Sequence, residues 1–137
     1  HMIADVTSKN GNLLLNVGPT MNGSIPAAQA ERLLAVGWWL RTYGEAVYGT
    51  RPWTRADGRT ADGTPVRFTT RGDALYAIVL GAPRGDEVVI EELDRGARPR
   101  AHLLGYGEPL RCERRGSGLA VTLPGDLRCG SGFALRL

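Results

Sequence analysis

The chain reads as mainly β: an antiparallel β-sandwich preceded by one strand and one long helix that together make a single βα unit. Three observations predict this. From Pro65 onward, short runs alternate apolar and polar residues between turn signals, as strands of a sandwich do. Ahead of them, Ser24 to Tyr43 carries apolar residues at helical spacing. Before that, Leu13-Leu14-Leu15 is apolar on both faces, closed by Asn16 and broken by Gly18-Pro19. A lone βα unit is not a domain, because both faces of such a strand must be covered. The sequence is therefore expected to be the tail of a larger α/β protein followed by a small β domain.

The elements follow in order. Ile3 to Thr7 is expected to be the last turn of a helix, and Lys9 to Asn12 a turn. Leu13 to Val17 is predicted as a strand covered on both sides. Ser24 is the predicted helix N-cap, with Pro26 in the first turn, where its missing N–H costs nothing. Gly44 is the predicted stop. At 100° steps Ala30, Leu33, Val36, Gly37, Leu40 and Tyr43 share one arc. Leu34 and Trp38 widen it on one side and Trp39 on the other, so two packing partners are expected. Ala46 to Trp53 reads as an extended connector, with Pro52 confining Arg51 to extended geometry. Asp57 to Thr64 is polar and turn-rich, a loop or weak hairpin. These readings assign residues 1–52 to the βα unit and 53–137 to the sandwich. Its predicted strands are 65–70, 75–80, 87–93, 100–104, 110–114, 119–123 and 133–137. In that register Arg111, Glu113 and Arg136 point outward.

Composition excludes several classes. A chain of 137 residues, 42% of them hydrophobic, fills one modest core. Its 17 basic residues, all arginine except Lys9, exceed 14 acids to give +3. They scatter along strands and turns rather than clustering on one face, which speaks against a nucleic-acid partner. No apolar stretch reaches the roughly 20 residues that span a bilayer, so no membrane role is expected. His1-Met2 reads as the remnant of a cleaved expression tag, and His1 is set aside. No signal peptide is visible, and secreted and cytoplasmic locations both stay open. Cys112 and Cys129 form no CxxC pair and His102 is the sole further ligand candidate, so no metal is expected. Cys112 falls in step with Leu110 as a buried thiol; a Cys112–Cys129 disulfide stays open. Gly11, Gly18 and Gly23 make no phosphate-binding loop. Asn22-Gly23-Ser24 fits the N-glycosylation acceptor pattern.

Four stretches, Asn12-Leu-Leu-Leu-Asn-Val-Gly-Pro-Thr20, Gly23-Ser-Ile-Pro26, Glu31-Arg-Leu-Leu34 and Gly44-Glu-Ala-Val-Tyr-Gly-Thr-Arg-Pro-Trp53, carry a family resemblance. They resemble the end of the catalytic barrel in α-L-fucosidases of glycoside hydrolase family 29. Arg67 to Leu80 and Leu119 to Pro124 are similar to that family's C-terminal β-sandwich. The resemblance implies that the first strand and helix are the last βα unit of a (β/α)8 barrel. It also implies a retaining hydrolase of terminal α-L-fucosyl bonds, acting on fucosylated glycans without a cofactor. Its Asp nucleophile and Glu acid/base would lie on earlier barrel strands, so no catalytic residue is carried over to this chain. The chain itself is then expected to be a non-catalytic supporting piece; the alternative is a carbohydrate-binding β-sandwich module. A pure interaction module has no specific residue in its favour.

Few side chains qualify as site residues. Asn16, at the end of its predicted strand, would sit at the rim where barrel active sites form. It reads either as a hydrogen bond in the pocket wall or as a partner of its own loop backbone. Tyr106, in Gly105-Tyr-Gly107, is a loop aromatic able to stack on a sugar ring. Trp38, Trp39 and Trp53 are expected to be buried at the barrel–sandwich seam, His102 to be structural and Glu45 a junction residue. Glu91-Glu92 and Asp86-Glu87 are sequence neighbours whose side chains point to opposite faces of a strand, so neither pair can flank one glycosidic bond. Apolar surface left bare on the first strand and the helix predicts a swapped or packed homo-oligomer.

Overall fold

A computed structural model describes residues 1–96, 99–127 and 129–137. Helix α1 spans Met2–Ser8 and α2 spans Ala27–Tyr43, which tightens into a 3-10 turn at Gly44–Ala46. The strands are β1 Arg51–Arg59, β2 Pro65–Arg71, β3 Ala74–Val79, β4 Glu87–Ile90, β5 Ala101–Leu103, β6 Pro109–Leu110, β7 Cys112–Arg115, β8 Gly118–Thr122 and β9 Phe133–Arg136. They form a six-stranded sheet, β1-β2-β3-β9-β5-β6, and a three-stranded sheet, β4-β8-β7, antiparallel throughout.

Register decides what each face of the large sheet meets. Val66 pairs with Val79, Phe68 with Ala77, and Ala77 with Leu135, all fully or almost fully buried. These face the small sheet, whose Val88, Ile90, Leu119 and Val121 close the core. The alternate residues face the helices. Thr69 donates from its hydroxyl to Ala46 O at 2.7 Å, and Tyr76 to Glu45 at 2.8 Å. Helix α1 is held on this face by Arg67, whose Nε lies 2.6 Å from Asp5 and 3.1 Å from Asp57. Lys9 Nζ reaches Asp5 at 2.7 Å. The Lys9 ammonium first, and then the Arg67 guanidinium, hold the Asp5 carboxyl below the usual carboxylate range.

The tail of β1 stitches the two sheets together. Thr60 bridges to Ile90, Glu91 N donates to Arg59 O at 3.0 Å, and Ala61 N donates to Val89 O at 2.8 Å. Residues predicted as a loop from Asp57 onward are thus partly strand. The predicted strand 110–114 divides at Arg111. Leu110 pairs with Ala101 in the large sheet, Cys112 with Val121 in the small one, and the chain crosses between sheets there. Arg111, Glu113 and Arg136 are exposed, as the alternation requires.

Other expectations change. Leu13–Val17 forms no strand, because no described strand offers it a ladder partner; Leu14 is 83% exposed. Ser24 does not cap α2. Its carbonyl accepts from Thr20 N at 2.8 Å and its hydroxyl lies 2.7 Å from Thr20 Oγ1, closing the 20–24 turn, so the helix starts after Pro26. Gly44 ends α2 without a left-handed residue, at φ −62°. A Cβ there would lie 2.7 Å from the Tyr48 ring, so packing rather than handedness calls for glycine. The connector 46–53 is extended only from Arg51 onward.

The broad arc of α2 is used on one side alone. Trp39 donates from Nε1 to Gly132 O at 2.9 Å and its ring lies 5.4 Å from that of Tyr43. Trp38, expected at a buried seam, is 65% exposed, with the Arg41 guanidinium 4.9 Å from its ring centre. Both cysteines are free, and burial pushes each thiol up from its ordinary value.

Candidate functional site

Helix α1 and the 3-10 turn cover the outer face of the large sheet over β1 to β3. Beyond β3, Ala134 of β9 is buried on this face while Arg136 and His102 are exposed, and a groove of about 530 Å³ lies beside them. Strand register sets Arg136 of β9 and His102 of β5 side by side in the groove, with the buried Tyr76 of β3 next to Arg136 on the same face. Glu45 comes from the 3-10 turn, Asp73 from the β2–β3 turn, Arg100 from the approach to β5, and Tyr106 from the loop after it.

Glu45 is a positioned acceptor. The buried Tyr76 hydroxyl donates to its Oε1 at 2.8 Å, while Arg71 and Arg136 lie 3.4 and 3.6 Å away. Burial, and then the Glu45 hydrogen bond, push the Tyr76 phenol above its ordinary value, so it stays a donor at neutral pH. Tyr106 is equally fixed. Gly105 sits at φ +80°, and a Cβ there would come within 2.5 Å of the Thr42 methyl, so only glycine lets the loop lie this near α2. That close approach pins the loop to the end of α2, and Tyr106 N donates to Leu103 O at 3.0 Å. Tyr106 lines the groove and is 43% exposed as a residue.

The groove thus gathers Tyr106, a sequence candidate, with His102 and Glu45, both expected to be structural. Asp73, Arg100 and Arg136 went unforeseen as site residues; the outward position of Arg136 was the one available signal. Asn16 is exposed in the N-terminal segment and does not line the groove. The neighbouring acids serve surface pairs: Glu91 with Arg59 at 2.6 Å, Glu92 with Arg55 at 3.3 Å, and Glu87 with Arg115. Among the described residues no group of three or more His, Cys, Asp or Glu could hold a metal, and no helix is long and apolar enough to cross a membrane.

Comparison with known proteins completes the picture. Residues 1–45 match the α-L-fucosidase family, and residues 61–137 match the α-L-fucosidase C-terminal domain. The chain belongs to the α-L-fucosidase family and corresponds to its C-terminal part. An α-L-fucosidase of Branchiostoma floridae is 34% identical over 99% of this chain and 31% of its own length. Human tissue α-L-fucosidase is 36% identical over 89% of this chain and 26% of its own. The crystal structure of Thermotoga maritima α-fucosidase superposes with a TM-score of 0.87 at 43% identity, covering 97% of this chain and 32% of that one. The chain therefore spans a quarter to a third of the length of these relatives.

Proposed function

We propose that this chain is the C-terminal, non-catalytic part of a retaining α-L-fucosidase. In the whole protein its sandwich (residues 53–137) braces a catalytic barrel to which residues 1–52 contribute the last βα unit. The carrying observation is the order of the two matches, a catalytic-family segment at 1–45 followed by the C-terminal domain at 61–137. The exposed apolar side chains of Leu14, Leu15, Ile25, Leu34 and Trp38 fit this reading, since the remaining barrel would cover them. Without that cover the same side chains favour self-association of the chain. Asn16 would then stand at the barrel rim, and fucosylated glycans would be substrates of the whole enzyme.

The test is hydrolysis of 4-nitrophenyl α-L-fucoside by the 137-residue chain. We expect no release of nitrophenol above the blank. The groove contains two carboxylates, Glu45 and Asp73, which supply the contrary outcome. Turnover abolished by Glu45→Gln or Asp73→Asn would place a catalytic pair within this chain and overturn the proposal.

A further inference from the structure

We infer that the groove between the end of α2 and the β9–β5 edge is a binding site for a neutral saccharide. The inference goes beyond the fucosidase reading and does not rest on it. Its lining is chemically mixed in a particular way. Arg100, and Arg136 at 3.6 Å from Glu45, supply N–H donors, Glu45 and Asp73 supply carboxylate acceptors, and His102 adds a ring nitrogen of each kind when neutral. An anionic ligand would meet two carboxylates here, and a cationic one two guanidinium groups. A sugar hydroxyl both donates and accepts, so an array of hydroxyls matches both signs together without carrying a charge of its own. Tyr106, an exposed residue, adds an aromatic ring for the C–H side of a pyranose.

Two features favour binding beyond composition. The volume, about 530 Å³, falls in the range of roughly 300–1,000 Å³ usual for small-ligand sites. The key groups are also ordered beforehand: Glu45 by the Tyr76 hydroxyl, and the Tyr106 loop by the contact of Gly105 with Thr42. Ordering that precedes binding lowers its entropic cost.

The measurement is an amide nitrogen–proton correlation titration of the full chain with four probes. Methyl α-L-fucoside and lactose are neutral, glucuronate is anionic and glucosamine is cationic. At least one neutral sugar is expected to shift the amides of Leu103–Tyr106 and Arg136 saturably, with both charged probes weaker. Tyr106→Ala should weaken that binding about tenfold, the size of one aromatic contact. Arg136→Gln should weaken it as well while signals from the small sheet stay in place, a check that the fold survives. Absence of shifts with both neutral sugars, shifts confined to other residues, undiminished binding by Tyr106→Ala, or preference for a charged probe would each overturn the inference.

Discussion

Phe68→Ala is expected to destabilise the fold by about 3–5 kcal/mol, the range for removing a fully buried aromatic ring from a core. Phe68 has no exposed surface and stands on β2 facing the small sheet. Trp53 meets it edge-on, with ring centres 5.1 Å apart and planes at 62°. The Arg55 guanidinium lies 5.1 Å from the ring centre and is itself anchored to Glu91 O at 3.1 Å and Glu92 O at 2.7 Å. Beneath the ring, a Cβ on Gly58 would come within 2.5 Å of it, so the glycine is what admits a ring this large. Truncation leaves a cavity that Trp53 and Arg55 cannot fill without leaving these partners. With a urea slope of about 2 kcal/mol per molar, the unfolding midpoint should fall by about 2 M. A fall of less than about 0.5 M would mean that the ring does not fill the space between the sheets.

Gly132→Ala is expected to cost about 3 kcal/mol, through backbone geometry rather than lost contacts. Gly132 sits at φ +113°, and its added Cβ would lie 2.3 Å from Val79 O and 3.3 Å from Gly81 N. Both are backbone atoms at the end of β3, where Val79 pairs with Phe133, so relief requires opening the β3–β9 ladder. Gly132 O also accepts from Trp39 Nε1, so the strain reaches the docking of α2. Thermal unfolding of the variant beside Gly125→Ala checks this. Gly125 has nothing within 4 Å of its added Cβ and no left-handed φ, so its replacement should stay within about 0.5 kcal/mol of the parent. Equal stability of the two variants would refute the geometric account.

The sandwich was legible because period-two alternation records burial on one face directly. Val66 and Phe68, Val88 and Ile90, and outward Arg136 all stand where that rule puts them. Three features escaped it. A strand is defined by its neighbours, so the apolar run Leu13–Val17 could state a preference but not supply a ladder. The crossing of the chain at Arg111 depends on which sheet captures each half of an alternating run, and both halves look alike. Ser24 has the chemistry of an N-cap, yet Thr20, four residues earlier, competes for its carbonyl and hydroxyl and wins. The groove was nearly invisible. Glu45, Asp73, His102 and Arg136 come from four elements, and only the pairing of β3, β9 and β5 sets them side by side. Tyr106 stood out alone because a lone aromatic between two glycines is a local signal.

Helix α1, the 3-10 turn and the end of α2 are tied to the sandwich through Asp5, Ala46 and Trp39, whereas Leu14 and Leu15 are exposed and pair with no described strand. Amide hydrogen exchange, at a dilution where light scattering gives a monomer, tests that contrast directly. Amides of β2, β3 and β9 should exchange only through global opening, whereas those from Leu13 to Val17 should exchange like an unprotected peptide. Protection of Leu13–Val17 equal to that of β3 in the monomer would show that this segment already has its partner within the chain, and would contradict the account.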